Sequence, residues 1–157
     1  MAERLAVHAP DVIVSSLEPK ATETGQIIAD ILGKPFETAE NLHEHERSNV
    51  GLFGTKQQFE TRVARFFANP RRLIFGEETA DEAHRRFAKA VASVIRKHPG
   101  GNLAIVTHGT VMSLFVARAI GLEPFPFWKR LGLPAFVVLS LPGFGLLTVV
   151  ENVEAEY

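Results

Sequence analysis

The amino-acid sequence predicts an α/β fold in three layers, α/β/α, with a largely parallel sheet and a C-terminal β-hairpin. Three observations predict it. Short β-rich apolar runs alternate with segments of helical periodicity from Asp11 to Ile120. Within them, Val106-Thr-His-Gly-Thr110 reads as a strand end, a tight turn and a helix start, half of a βαβ unit. Leu131 to Val150 runs twenty residues without a charge, yet Gly132, Pro134, Pro142, Gly143 and Gly145 break it into two β-rich pieces.

Taken in order, Ala2 to His8 reads as the tail of a helix and Asp11 to Ser15 as a strand. The helix expected from about Ala21 to Leu32 carries Ile27, Ile28, Ile31 and Leu32 on one face, with Gly33 as its cap. Phe36 to Leu42 is a weaker strand. Lys56 to Ala68 is a helix turning Phe59, Val63, Phe66 and Phe67 inward. A longer helix, Asp81 to Lys97, turns Ala83, Phe87, Ala90, Val91 and Val94 inward and stops at Pro99-Gly-Gly101. Asn102 to Thr107 is a strand and Thr110 to about Ile120 a helix. Ala135 to Ser140 and Leu146 to Val150 are expected to form a buried hairpin; the breakers weigh against reading this apolar stretch as a membrane helix. Glu40 to Gly54 and Asn69 to Glu78 are loops long enough to carry function.

At 157 residues and 46% apolar content, the chain has material for one core, so a single domain over 1–157 is expected. Seventeen basic and eighteen acidic side chains give a formal charge of -1, which provides no field to attract nucleic acid or a membrane surface. The absence of cysteine excludes a disulfide framework, a thiolate zinc site and a cysteine nucleophile. With no signal-like N-terminus, a cytoplasmic location is expected.

Three places carry chemistry. His108 stands at a strand's carboxyl end directly before a helix, where backbone N–H groups and the helix dipole favour an anion, and Gly109 lets the backbone approach it. The bland alternative is a histidine that caps the helix. At Ser15-Ser-Leu-Glu-Pro-Lys20-Ala21, hydroxyls and a lysine gather at another strand end. Lys20 has the wrong sign for a helix start unless an anion lies between it and the amides, although Ser16 could be a plain N-cap and Lys20 a solvated side chain. Leu42-His-Glu-His-Glu-Arg47 alternates imidazoles and carboxylates. His43 and His45 could ligate zinc, but nothing at ligand spacing completes a site, so neither metal nor cofactor is expected. Glu44 could act as a general acid toward a leaving alcohol.

Together, Ser15 to Thr24, Leu42-His-Glu44, Gly76-Glu-Glu-Thr79 with Arg85 downstream, and Val106-Thr-His-Gly109 resemble, in order and spacing, the successive motifs of the phosphoglycerate-mutase-like histidine phosphatase superfamily. The resemblance implies hydrolysis of a phosphomonoester through a phosphohistidine. It also implies that His108 bonds the transferring phosphoryl group, that Lys20 stands where the family often has a phosphate-clamping arginine, and that Glu44 is the proton donor. Ser16, Lys20 and Gly109 would bind phosphate or a small phosphorylated molecule. Departures are Lys20 itself, a point charge without a bidentate fork, Glu78 in place of a serine, and glycines at Gly51 and Gly54. Family members open with a strand ending in Arg-His-Gly, whose histidine is the nucleophile. Ala2 to His8 matches the helix after that strand, which implies a shortened chain or a pseudo-enzyme with little turnover, and a sheet gap that another copy of the chain could fill. The competing class is a module that binds phosphorylated ligands without turning them over. A serine hydrolase is disfavoured because no Gly-x-Ser-x-Gly elbow is present.

Overall fold

The computed structural model describes residues 1–51 and 54–153. Its central sheet has three parallel strands in the order β2-β1-β3, with β1 at Val12–Ser16, β2 at Phe36–Ala39 and β3 at Leu103–Val106. Ile13 lies opposite both Phe36 and Ala104. Paired on both edges, β1 is buried throughout. Successive side chains of a strand face opposite ways. Val12 and Val14 accordingly join a core with α3 (Lys56–Ala68), α4 (Ala80–Lys97) and α5 (Gly109–Ile120). Ile13 turns to the other side, toward α1 (Ala2–Ala6) and α2 (Pro19–Leu32). These are the three layers expected from the sequence.

Two helices begin as their sequences dictate. Thr55 with Gln58, and Thr79 with Glu82, form capping boxes that satisfy the first free N–H groups of α3 and α4. Val63, Phe66 and Phe67, and all five residues expected on α4, are buried. The face of α2 differs from expectation: Ile27 and Ile31 are exposed, and the buried stripe is Ala21, Gly25, Ile28 and Ala29. The cause is close packing. A Cβ on Gly25 would lie 2.7 Å from Cε2 of Phe36, so the helix approaches the sheet through its small residues and its bulky ones point away. β2 stops at Ala39 instead of Leu42 because Asn41 takes a left-handed conformation, φ 66°, that ends the extended run. A short helix, α6 (Pro124–Arg130), was not expected; Pro124 suits its first turn and Phe127 is buried.

The hairpin forms where expected, as β4 (Phe136–Ser140) and β5 (Gly145–Val150), but it is a separate two-stranded sheet and only partly buried. Leu133, Leu146 and Leu147 are exposed; the hairpin is held instead by Phe144, whose ring lies 5.1 Å from that of Phe115 on α5. Among the described residues, one edge of β3 and one edge of β4 have no strand partner. Every residue of β3 is partly exposed, in contrast to β1. No helix among the described residues is long and apolar enough to cross a membrane.

Candidate functional site

Parallel strands bring the turns after β1 and β3 to the same end of the sheet. There the Nε2 of His108 lies 2.8 Å from Glu18 Oε2 and 3.1 Å from Ser16 Oγ. A carboxylate only accepts, so Nε2 carries the proton and donates it to Glu18. Ser16 Oγ also accepts from the Glu18 amide at 3.2 Å, which fixes the β1–α2 turn. Thr22 on the first turn of α2 donates to the Ser16 carbonyl. Ser16 is completely buried, so its hydroxyl has a fixed address.

Glu44 comes from the loop after β2. Its carboxylate accepts from the amides of Thr110 and Val111 at 3.1 and 3.2 Å, and from that of His45 at 2.9 Å. Glu18 Oε2 accepts from the Glu44 amide at 2.7 Å, so the two acidic residues interlock. This revises the picture drawn from sequence: the first amides of α5 are not vacant for an outside anion, because the Glu44 carboxylate caps them and gains from the dipole. Gly109 lies against Trp128; a Cβ there would sit 3.6 Å from the indole Nε1.

His108, Ser16, Glu44 and Gly109 thus converge. Lys20 does not join them: it is exposed at the second position of α2, and no described contact links its ammonium group to the other four. His43 and His45 diverge. His43 bonds Glu46 at 3.0 Å near the surface, whereas His45 is 2% exposed between Phe66 and Phe75, ring centres at 4.3 and 4.8 Å. The described residues include no group of three or more histidine, cysteine or acidic side chains able to hold a metal ion. His8 touches Phe136, and its neighbour Ala9 is bonded to Asn102 at the amino end of β3, far from the His108 turn.

Sequence reasoning missed three residues. Glu18 was read as part of a turn, not as the partner of His108. Arg86, not Arg85, supports the site: it donates to both Glu78 oxygens at 3.1 and 2.6 Å and to the carbonyls of Asn41, His43 and Glu44. Arg47 sits over the Phe59 ring with its Nη2 3.8 Å from Glu44. Helical spacing could have singled out Arg86, which follows the buried Ala83 by three and Thr79 by seven.

The loop is also a source of acid sensitivity. His45 Nε2 donates to the Glu78 carbonyl at 3.1 Å, while Nδ1 is buried without a partner. Burial pushes the His45 imidazole below its ordinary pKa, against the raising effects of the Glu78 carbonyl and nearby carboxylates. The sign follows from linkage. In the unfolded chain the ring binds a proton near pH 6.5, so the neutral buried ring contributes fully above that pH and its contribution falls as pH drops below it. The urea midpoint is therefore expected to fall between pH 7.5 and 5, and less so in His45→Leu. His84, lowered by burial between its neighbours, retains its own share. An identical pH slope in the variant would contradict this account.

Comparison with known proteins agrees with the fold. The chain is similar in structure to Bacillus stearothermophilus YhfR, with a TM-score of 0.70 and 21% identity, covering 96% of this chain and 77% of that one. It is similar to the alpha-ribazole phosphatase from Shigella flexneri at TM-score 0.66 and 18% identity, covering 99% and 83%. A mycobacterial glucosyl-3-phosphoglycerate phosphatase in complex with VO3 matches at TM-score 0.61 and 22% identity, covering 83% and 68%. No curated protein matches the chain in sequence. The model of the histidine phosphatase superfamily (branch 1) matches residues 1–142, a span that contains α1 through β4 and each of the four converging residues, and the chain belongs to that superfamily.

Proposed function

We propose that this site binds the phosphoryl group of a small phosphomonoester, and that the 157-residue polypeptide on its own turns such an ester over only slowly. The observation that carries the reading is the His108 turn: an imidazole N–H, a buried serine hydroxyl and a carboxylate on helix amides meet at the carboxyl ends of two adjacent parallel strands. A phosphoryl oxygen entering there takes over the His108 N–H from Glu18, whose side chain is 44% exposed and can turn outward. In the slow turnover water attacks phosphorus as the ester bond to the alcohol breaks, and a proton relayed through Glu44 goes to the leaving oxygen while one from the water passes to solvent. His108 is engaged as a donor, and none of the other five histidines touches Ser16 or Glu18. Nucleophilic catalysis through a phosphohistidine requires an imidazole in line with phosphorus. A mycobacterial glucosyl-3-phosphoglycerate phosphatase of similar structure forms a complex with inorganic phosphate, which lends support to anion binding by this fold.

The test is titration calorimetry with inorganic phosphate. Wild type is expected to bind, and His108→Ala to weaken binding about tenfold or more, the worth of one charge-assisted hydrogen bond. Equal binding by both proteins would remove His108 from the site.

A second reading, a phospho-ligand sensor without turnover, is favoured by the same interlock of Glu18 and Glu44, which fills the site with internal charge.

A further inference from the structure

The anionic side chains at the His108 turn outnumber the cations that reach it. Glu18 and Glu44 supply two carboxylates, while Lys20 remains exposed on α2. Of the two guanidinium groups in this neighbourhood, that of Arg86 is spent on Glu78 and three loop carbonyls, which leaves that of Arg47. Its Cζ lies 5.2 Å from the centre of the Phe59 ring, and its Nη2 is 3.8 Å from Glu44 Oε2. At that distance there is charge attraction but no directed hydrogen bond. The side chain is 27% exposed, but its Nη1 is buried and has no hydrogen-bond partner among the described residues. A buried guanidinium N–H without an acceptor costs free energy, and native proteins seldom keep one without cause.

The contacts around Arg47 close into a circuit. Phe59, under the guanidinium, packs edge-on against Trp128 at 5.8 Å. Trp128 abuts Gly109, the first residue of α5. Glu44, attracted to Arg47, sits on the amides of Thr110 and Val111 in the same helical turn. Arg47 therefore neighbours the first turn of α5 by two routes, through Phe59 and Trp128 to Gly109 and through Glu44 to Thr110 and Val111. Stacking on an aromatic face orients a guanidinium plane and lowers the cost of stripping its water, and the planar fork matches two phosphoryl oxygens as an ammonium cannot.

We propose that Arg47 is the group that grips the phosphoryl oxygens of the ligand at the His108 turn, the part that sequence position had given to Lys20. This inference rests on the phosphoryl-binding reading above. When the anion arrives, the unpaired Nη1 gains its acceptor, and the attraction between Arg47 and Glu44 is divided with the ligand.

The experiment is calorimetric titration of inorganic phosphate and of orthovanadate into the 157-residue protein, with Arg47→Met, Arg47→Lys and Lys20→Ala variants and a thermal melt of each. Arg47→Met is expected to weaken both anions about 10- to 100-fold, Arg47→Lys less, and Lys20→Ala by less than about threefold. The melting point of Arg47→Met is expected to stay level or rise, since an unsatisfied buried donor has been removed; a merely structural arginine would lower it. If Arg47→Met does not fold, the Arg47→Lys titration decides, because loss of the fork at constant charge still weakens binding. Wild-type binding that survives both Arg47 substitutions, or a larger loss in Lys20→Ala, overturns this inference alone. Failure of the wild type to bind either anion overturns the reading of the site and this inference with it.

Discussion

Arg86→Met is expected to destabilise the protein by about 3–5 kcal/mol, the range for breaking a buried ion pair by removing one member. Glu78 is only 7% exposed, and Arg86 is its bidentate partner. Without the guanidinium, a buried carboxylate is left facing apolar surroundings, and the carbonyls of Asn41, His43 and Glu44 lose their shared donor. In a chain of this length each kcal/mol moves the melting point by about 2–4 °C, so the shift is large. The pair belongs in a double-mutant cycle. Glu78→Gln keeps an acceptor for the Glu46 amide, which now bonds Glu78 Oε1 at 3.0 Å, while removing the charge. The double variant should therefore be more stable than the sum of the two single losses. A single-variant loss below about 1 kcal/mol, read from urea unfolding, would mean that Arg86 only decorates the loop.

Adding a strand that ends in Arg-His-Gly ahead of Ala2 is expected to raise p-nitrophenyl phosphate hydrolysis by about 10³-fold or more, the scale at which a nucleophile contributes to covalent catalysis. The fold dictates where such a strand goes. α1 and α2 pack together on one face of the sheet, through Ala2, Leu5, Ile28 and Ala29. The crossover from β1 through α2 to β2 runs outward in one direction. A strand joined to β1 through α1, on that same face and with the same right-handed sense, must come from the opposite direction, beyond β3. That is the side on which β3 lacks a partner. Its carboxyl end would reach the level of His108, which would bring an attacking imidazole to the place where phosphoryl binding is proposed. The control is the same fusion with the new histidine replaced by alanine. Equal turnover by the two fusions, or robust turnover by the unfused protein, would show that the nucleophile lies among the six histidines already present.

Much of the fold was legible because its signals are local. The spacing of Val63, Phe66, Phe87 and Val91 placed α3 and α4 with their correct faces. The face of α2 was misread because hydropathy weighs Ile27 and Ile31 above Gly25, whereas packing against Phe36 demanded the absence of a side chain. In the site, His108, Ser16, Glu44 and Gly109 were legible from their positions at strand ends and helix starts. Glu18 and Arg47 were not, since their partners are 26 or more residues away or depend on a loop's path. Lys20 was expected from its charge at a helix start and from its motif position, and neither fixes the direction of an exposed side chain on a helix's first turn.

The unpaired margins of β3 and β4 bear on how long the protein survives in concentrated solution. Leu103-Ala-Ile-Val106 and Phe136-Val-Val-Leu-Ser140 contain neither charge, proline nor glycine, the devices by which natural sheet margins repel a neighbour. Each margin is a row of hydrogen-bonding groups that any extended apolar peptide can complete, including the same strand of a second molecule. Such growth is at least second order in protein, while unfolding is first order. Loss of native protein is therefore expected to steepen with protein concentration at a fixed temperature.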